Sequence, residues 1–277
     1  MVKISKPKYQ QEGHFSKVDY QELVDGRVTH YLYDPAKGDW VSLAQVLESK
    51  LAFIDLVFTK LTGRYPTEDE LRLLQANLVI VSMGTGPHAP SVMIAKLISS
   101  TTKDERFAAI DGLIGGLASM GTHHLGAVYD VMKFYEYIAE KLGGVPDFRL
   151  AVRGYAKAEL IQGDKLMGYG HPVYDEDPRN SIILDLVRKV DATSTYLQIY
   201  EEIESLIWEE KSIHPNIDAA QALAYLVLGF RPIHGIYLNF LGRSLDMICH
   251  IEEEFGRKPF SFLMESSPPD RFYKKSA

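Results

Sequence analysis

Cysteine is nearly absent from this 277-residue chain, which has one, Cys249. A disulfide within the chain is excluded, and a cysteine-built zinc site would have too few thiolates. Positive charge is also in deficit. Lys and Arg number 30 against 37 Asp and Glu, a net charge of −7. That balance argues against a general nucleic-acid binder and against a polybasic membrane-surface protein. It still leaves room for small anions, because a few focused Arg and His side chains can outweigh a global charge. Long apolar runs are missing too. The longest, Phe107 to Met120, carries Asp111 and is shorter than the roughly 20 residues a membrane span needs. Met1 to Asp19 holds four lysines and no apolar core, so no signal peptide is expected, and a reducing cytoplasm fits the cysteine usage. There is no HExxH, P-loop, GxSxG or complete GxGxxG. Gly168-Tyr169-Gly170 approaches a dinucleotide-binding turn, but no strand precedes it.

What is present is a helical pattern on a composition that is 46% hydrophobic and 24% charged, enough for a sizeable core. Trp40 to Leu61 places apolar residues near the 3.6-residue period, and Gly63 stops it. Thr67 with Glu70 forms a capping box that opens a helix running to about Ser82. Further helices are expected over Ser91–Ser100, Phe107–Met120, Leu125–Leu142, Phe148–Gln162, Ser181–Val190, Tyr196–Lys211, Asp218–Gly229 and Gly235–Glu254. Gly112, Gly115 and Gly116 sit inside an apolar helical run, where each glycine costs about 1 kcal/mol. They predict close helix–helix approach, a subunit interface being one setting; a loosely formed helix is the plain alternative. No convincing period-2 strand or internal repeat stands out, so the fold class is all-α, with at most a short β-hairpin near Gly26–Tyr33. The polar ends, Met1–Lys17 and Ser266–Ala277, read as disordered segments or partner arms.

The candidate chemistry sits at the breaks between helices. His88 follows Gly84-Thr85-Gly86-Pro87, His124 closes Gly121-Thr122-His123-His124, His171 follows Gly168-Tyr169-Gly170, and Asp218 ends His214-Pro215-Asn216-Ile217-Asp218. Each has a bland explanation taken singly. A loop histidine is more often a cap or a solvated group, an Asp after Pro-Asn is usually a helix cap, and the Arg of Asp177-Pro178-Arg179 is usually a surface charge. Their joint occurrence carries the argument.

Taken together, these segments resemble the citrate synthase family. Gly168-Tyr169-Gly170-His171-Pro172-Val173-Tyr174 with Asp177-Pro178-Arg179 looks like its GxGHxV…DPR signature. His214 to Asp218 resembles its PNxD segment, Gly121 to Ala127 its GPLHGxA segment, and Leu241-Gly242-Arg243-Ser244-Leu245 with His250 its C-terminal arginine helix. Leu61 to Leu78 resembles the LxGxxPTxxE helix start. The likeness covers roughly Trp40 to Phe260 and is particularly close to the citryl-CoA lyase region of ATP-citrate lyases. Two departures stand out. Pro172 follows the loop histidine where bacterial relatives often have Arg, and His124 stands where ATP-citrate lyases have Phe.

The resemblance implies a catalytic trio. Asp218 would be the base that removes a methyl proton of acetyl-CoA. His124 would donate to the thioester oxygen, and His171 would polarise the oxaloacetate carbonyl. A thioester methyl is a very weak acid, so a base on the carbon side needs a neutral donor on the oxygen side. By the same resemblance, His88, Arg179 and Arg243 would bind substrate carboxylates. Arg257 would do so from a neighbouring subunit, and Leu166, Met167, Gly168, Tyr169 and Gly170 would receive coenzyme A.

The implied protein has a citrate-synthase-like helical fold. Its N-terminal arm spans 1–39, its large core 40–145 and 212–265, its smaller subdomain 146–211 and its tail 266–277. The implied enzyme is a citryl-CoA lyase, giving acetyl-CoA and oxaloacetate. The alternatives are a compact citrate synthase, a synthase for a related oxo acid, or a non-catalytic CoA-binding paralogue. No metal and no tightly bound cofactor is implied; the coenzyme A thioester is substrate or product. The partners implied are small molecules and a second copy of the chain, with no nucleic acid and no membrane.

Overall fold

The computed structural model describes residues 18–49, 51–83, 86–122, 124–161, 168–170 and 176–264. Both polar ends expected to be disordered or partner arms, Met1–Lys17 and Ser266–Ala277, lie outside the described residues. The chain divides into two compact units, residues 1–71 and 72–277.

The first unit carries a three-stranded antiparallel sheet, β1 (Asp19–Val24), β2 (Arg27–Asp34) and β3 (Asp39–Ser42), in the order β1-β2-β3. The β1–β2 register pairs Asp19 with Leu32 and Val24 with Arg27. Asp25 and Gly26 both take positive φ in the turn between them, the geometry that two-residue hairpins favour. This sheet is larger than the single hairpin expected. Its second strand is mostly exposed at its start and mostly covered at its end, so no clean alternation marks it in sequence. Two helices follow, α1 (Leu43–Glu48) and α2 (Phe53–Thr62). Gly63 ends α2 in the left-handed conformation. Lys60 of α2 donates to the carbonyls of Val18, at 3.1 Å, and of Tyr33, which ties the helix to the sheet.

The boundary between the units falls within α3 (Glu68–Met83). Thr67 and Glu70 form the predicted capping box at its start: Thr67 N donates to Glu70 Oε2 at 2.8 Å and Glu70 N to Thr67 Oγ1 at 3.3 Å. The second unit continues with α4 (Pro90–Ser99), α5 (Glu105–Ala118), α6 (Ala127–Leu142), α7 (Phe148–Ile161) and α8 (Pro178–Asp191). It ends with α9 (Thr195–Lys211), α10 (Ile217–Val227), α11 (Pro232–Phe255) and a 3-10 turn at Ser261–Met264. The fold is thus mostly α, as the periodicity predicts.

Helix α10 is the centre of this unit. Ala219 to Leu226 are buried without a break, packed among α6, α8, α9 and α11. The glycines of α5 do what their spacing predicts, and within one chain. A Cβ on Gly116 would lie 2.9 Å from the Ser91 carbonyl of α4 and against Met247 of α11. One on Gly112 would lie 3.1 Å from the Ala95 carbonyl. Backbone-to-backbone contact of this kind is available only to glycine.

Candidate active site

His124 lies on the short connection from α5 to α6. The loop closes on itself: Gly121 N donates to His124 O at 3.0 Å, and His124 N to Gly121 O at 2.9 Å. Leu125 takes positive φ, and its carbonyl accepts from Nδ2 of the buried Asn239 on α11 at 3.1 Å. The ring meets the start of α4. Its Nε2 accepts the Ser91 backbone N–H at 3.3 Å and sits 2.9 Å from Ser91 Oγ. That N–H is one of the donors a helix N-terminus leaves over, and using it makes Nε2 an acceptor. The ring proton is thereby assigned to Nδ1. Burial, and after it the charge of Arg243, lowers the pKa of His124. At neutral pH the ring is a neutral donor through Nδ1–H.

Asp218 stands in the first turn of α10, behind the N-cap Asn216. Burial pushes its carboxyl up to about 6, the charge of Arg179 opposes that rise, and Asp177 adds to it. A helix N-terminus favours an anion by about 0.3–1 kcal/mol at exposed sites. Burial prevails over that here.

Two arginines complete the locus. Arg179 opens α8 and forms a two-pronged contact with Asp177, Nε to Oδ1 at 2.8 Å and Nη2 to Oδ2 at 2.6 Å. Arg243 is 1% exposed in the middle of α11, with Nη1 2.6 Å from Asp246 Oδ2. Burial lowers the Arg243 pKa, Asp246 resists, and Arg179 contributes to the lowering. His124 therefore feels Arg243, Arg243 feels Arg179, and Arg179 acts on Asp218. These four groups, from four separate segments, lie within electrostatic reach of one another, neighbour to neighbour.

The glycine turn joins them through the main chain. Gly168 and Gly170 have φ of +88° and +80°, and a Cβ on Gly168 would meet Val131 and Ala219 at about 3 Å. Tyr169 bridges antiparallel to Pro215. Gly170 N donates to His214 O at 2.8 Å and Asn216 N to Gly168 O at 2.9 Å. The Tyr169 and Tyr135 hydroxyls are 2.9 Å apart, and burial holds both phenols above the ordinary tyrosine range.

Two of the remaining candidates are described. His88 is exposed in the turn before α4, three positions ahead of Ser91. Arg257 follows the end of α11, hydrogen-bonded to Glu253. At 1.5 Å of rise per residue it lies roughly 20 Å along the helix axis from Arg243, outside the cluster of its own chain. His171, Leu166 and Met167 lie outside the described residues. Sequence reasoning overlooked Ser91, Asp246 and Asn239. Asp246, three residues beyond a helical arginine, was detectable as an i, i+3 pair. Ser91 and Asn239 carry no local signal.

A weak carbon acid beside a carbonyl needs a base at the carbon and a neutral donor at the oxygen, and Asp218 and His124 are of those kinds. Residues 27–259 match the family model described as citrate synthase, C-terminal domain. The chain belongs to the citrate synthase family. It is an enzyme of that family. Its relatives include the citrate synthase of Heyndrickxia coagulans, 29% identical over 200 residues, which are 70% of this chain and 50% of the relative. The citrate synthase of Synechocystis sp. is 32% identical over 173 residues, 60% of this chain and 41% of the relative. The family member described here thus spans about half the length of the curated relatives it matches. Among solved structures, the citryl-CoA lyase from Hydrogenobacter thermophilus shares the fold at a TM-score of 0.72 and 24% identity, over 95% of this chain and 94% of that one. ATP citrate lyase from Methanothrix soehngenii shares it at 0.67 and 19% identity, over 100% of this chain and 48% of that one. Among the described residues no helix is long and apolar enough to cross a membrane, and no group of three or more His, Cys, Asp or Glu side chains could hold a metal ion.

Proposed function

We propose that this enzyme is a citryl-CoA lyase, which cleaves citryl-CoA to acetyl-CoA and oxaloacetate by a retro-Claisen step. The observation that carries the reading is the neutral His124 donor combined with an Asp218 carboxyl poised near 6, beside two arginine–carboxylate pairs. In cleavage, His171 takes the proton of the tertiary hydroxyl. The bond from that carbon to the methylene next to the thioester breaks, and its electron pair enters the thioester as an enolate. Nδ1–H of His124 holds the enolate oxygen. Protonated Asp218 then delivers its proton to carbon, which becomes the acetyl methyl. Arg179, Arg243 and His88 hold the substrate carboxylates, and residues 166–170 receive coenzyme A. No tightly bound cofactor takes part, and the cytoplasm is the proposed compartment.

Cleavage is preferred because the fold corresponds to a citryl-CoA lyase along nearly all of both chains. The second reading, a hydrolytic citrate synthase, is favoured by the curated relatives. A product assay separates the two. Citryl-CoA should yield acetyl-CoA and oxaloacetate without free CoA. Free CoA from acetyl-CoA plus oxaloacetate would assign the synthase, and CoA binding with neither reaction would assign a non-catalytic paralogue.

The assembly proposed is a homodimer. Phe107, Ile110 and Ile114 form one exposed apolar stripe on α5, and Leu241, Leu245 and Ile248 form another on α11, each at helical spacing. The two helices pack against each other. A second copy covering these stripes would let Arg257 reach the neighbouring site instead of its own.

A further inference from the structure

One side chain ties two functional segments together, a second brings in a third, and the proposed reaction uses neither directly. Asn216 accepts the Asp218 N–H on its Oδ1 at 2.9 Å, which caps α10. Its Nδ2 donates to the Gly170 carbonyl at 3.0 Å. That carbonyl belongs to the peptide unit joining Gly170 to His171. A peptide unit is planar, so holding its oxygen fixes the plane in which the described turn ends at Gly170. The third segment joins one residue away. Asn180, directly after Arg179 on α8, is buried and donates from Nδ2 to the Pro215 carbonyl at 2.7 Å.

We propose that Asn216 is a positioning residue that sets the offset of the Gly168–Gly170 turn, which His171 follows in sequence, from the Asp218 base. This rests on the reading of His171 and Asp218 as partners in carbon–carbon cleavage. The amide is suited to the task because it has an acceptor for one segment and a donor for the other, on a single short side chain. The main-chain bonds from Gly170 to His214 and from Asn216 to Gly168 keep the two strands of the clasp together, and the side chain fixes their offset.

Asn216→Ser and Asn216→Asp test it. Both replacements retain a good N-cap, so α10 and thermal stability should be nearly unchanged. Asp has no donor for the Gly170 carbonyl, and the serine hydroxyl, one bond shorter than the amide, falls short of it. Two reactions are compared. Cleavage of citryl-CoA needs His171 and Asp218 together, whereas solvent exchange of the acetyl-CoA methyl protons needs Asp218 and His124 alone. Cleavage should fall by about tenfold or more, the scale at which small misplacements act, while methyl exchange stays within about threefold. The serine variant adds no charge beside Asp218, so agreement between the two variants excludes an electrostatic cause. Amide hydrogen exchange reads the clasp without substrate. The Gly170 and Asn216 N–H groups should lose protection by about tenfold in both variants. Unchanged protection overturns the proposal, as does a parallel loss of cleavage and methyl exchange. An inactive wild-type protein whose amides respond as expected would count against the proposed reaction and leave the clasp standing.

Discussion

At the scale of single residues, Asp218 has the largest consequence. Its carboxyl is raised from 3.8 to about 6, chiefly by burial. The folded protein therefore holds that proton more tightly than the unfolded chain. Below about pH 4 both forms are protonated and burial costs nothing in ionisation. Between pH 4 and 6 the cost develops, and above 6 it is present in full. Asp218→Asn removes it. Chemical unfolding should show the variant about 1–3 kcal/mol more stable than wild type at pH 7, with the gain vanishing near pH 4. Methyl-proton exchange should be lost throughout. A variant that keeps exchanging would remove Asp218 as the base. This residue was legible because its Pro-Asn-x-Asp context is local. Ser91 was not, because it lies 33 positions from the histidine it serves, and only the packing of α4 against the following loop joins them.

Elements show the same division. The start of α3 was readable from Thr67 and Glu70, whose capping contacts span three residues. The pattern from Trp40 to Leu61 read as one helix, yet Trp40 belongs to β3, where its ring meets Tyr33 edge-on at 5.2 Å. The rest splits in two because the chain is capped twice. Ser42 Oγ accepts the Gln45 N–H at 3.2 Å, and Asp55 Oδ2 accepts the Ala52 N–H at 2.7 Å. A hydrophobic period does not register such restarts. In α5, sequence predicted close contact, and the structure names the neighbour. Gly116 faces the Ser91 carbonyl, and Ser91 holds His124. Gly116→Ala should cost about 1–3 kcal/mol in thermal or denaturant unfolding, since a backbone carbonyl yields less readily than a side chain. It should also lower activity more than the stability loss explains, because the helix that positions Ser91 must move. Wild-type stability and rate together would show that the two helices have slack.

For the whole molecule, the net charge of −7 coexists with two arginines gathered at the site. Arg179 and Arg243 are concentrated beside Asp218 and His124, each held by its own carboxylate. Preset pairs of this kind keep both guanidinium groups oriented before any anion arrives. The other global feature is the exposed apolar surface on α5 and α11. Light scattering at micromolar concentration should give a dimer, and Ile114→Glu together with Leu245→Glu should give a folded monomer with impaired activity. A wild-type monomer would remove both the dimer and the cross-subunit role of Arg257.

Sequence by itself determined the helical class, most helix boundaries, the family and the motif residues, because caps, periods and motifs act over a few neighbouring positions. Tertiary structure decided the rest. It gave His124 its neutral Nδ1–H tautomer, raised Asp218, and buried Arg243 within electrostatic reach of His124 and Arg179. Each of these depends on which distant groups share a buried space, and burial changes the cost of a charge in a way that no local pattern encodes.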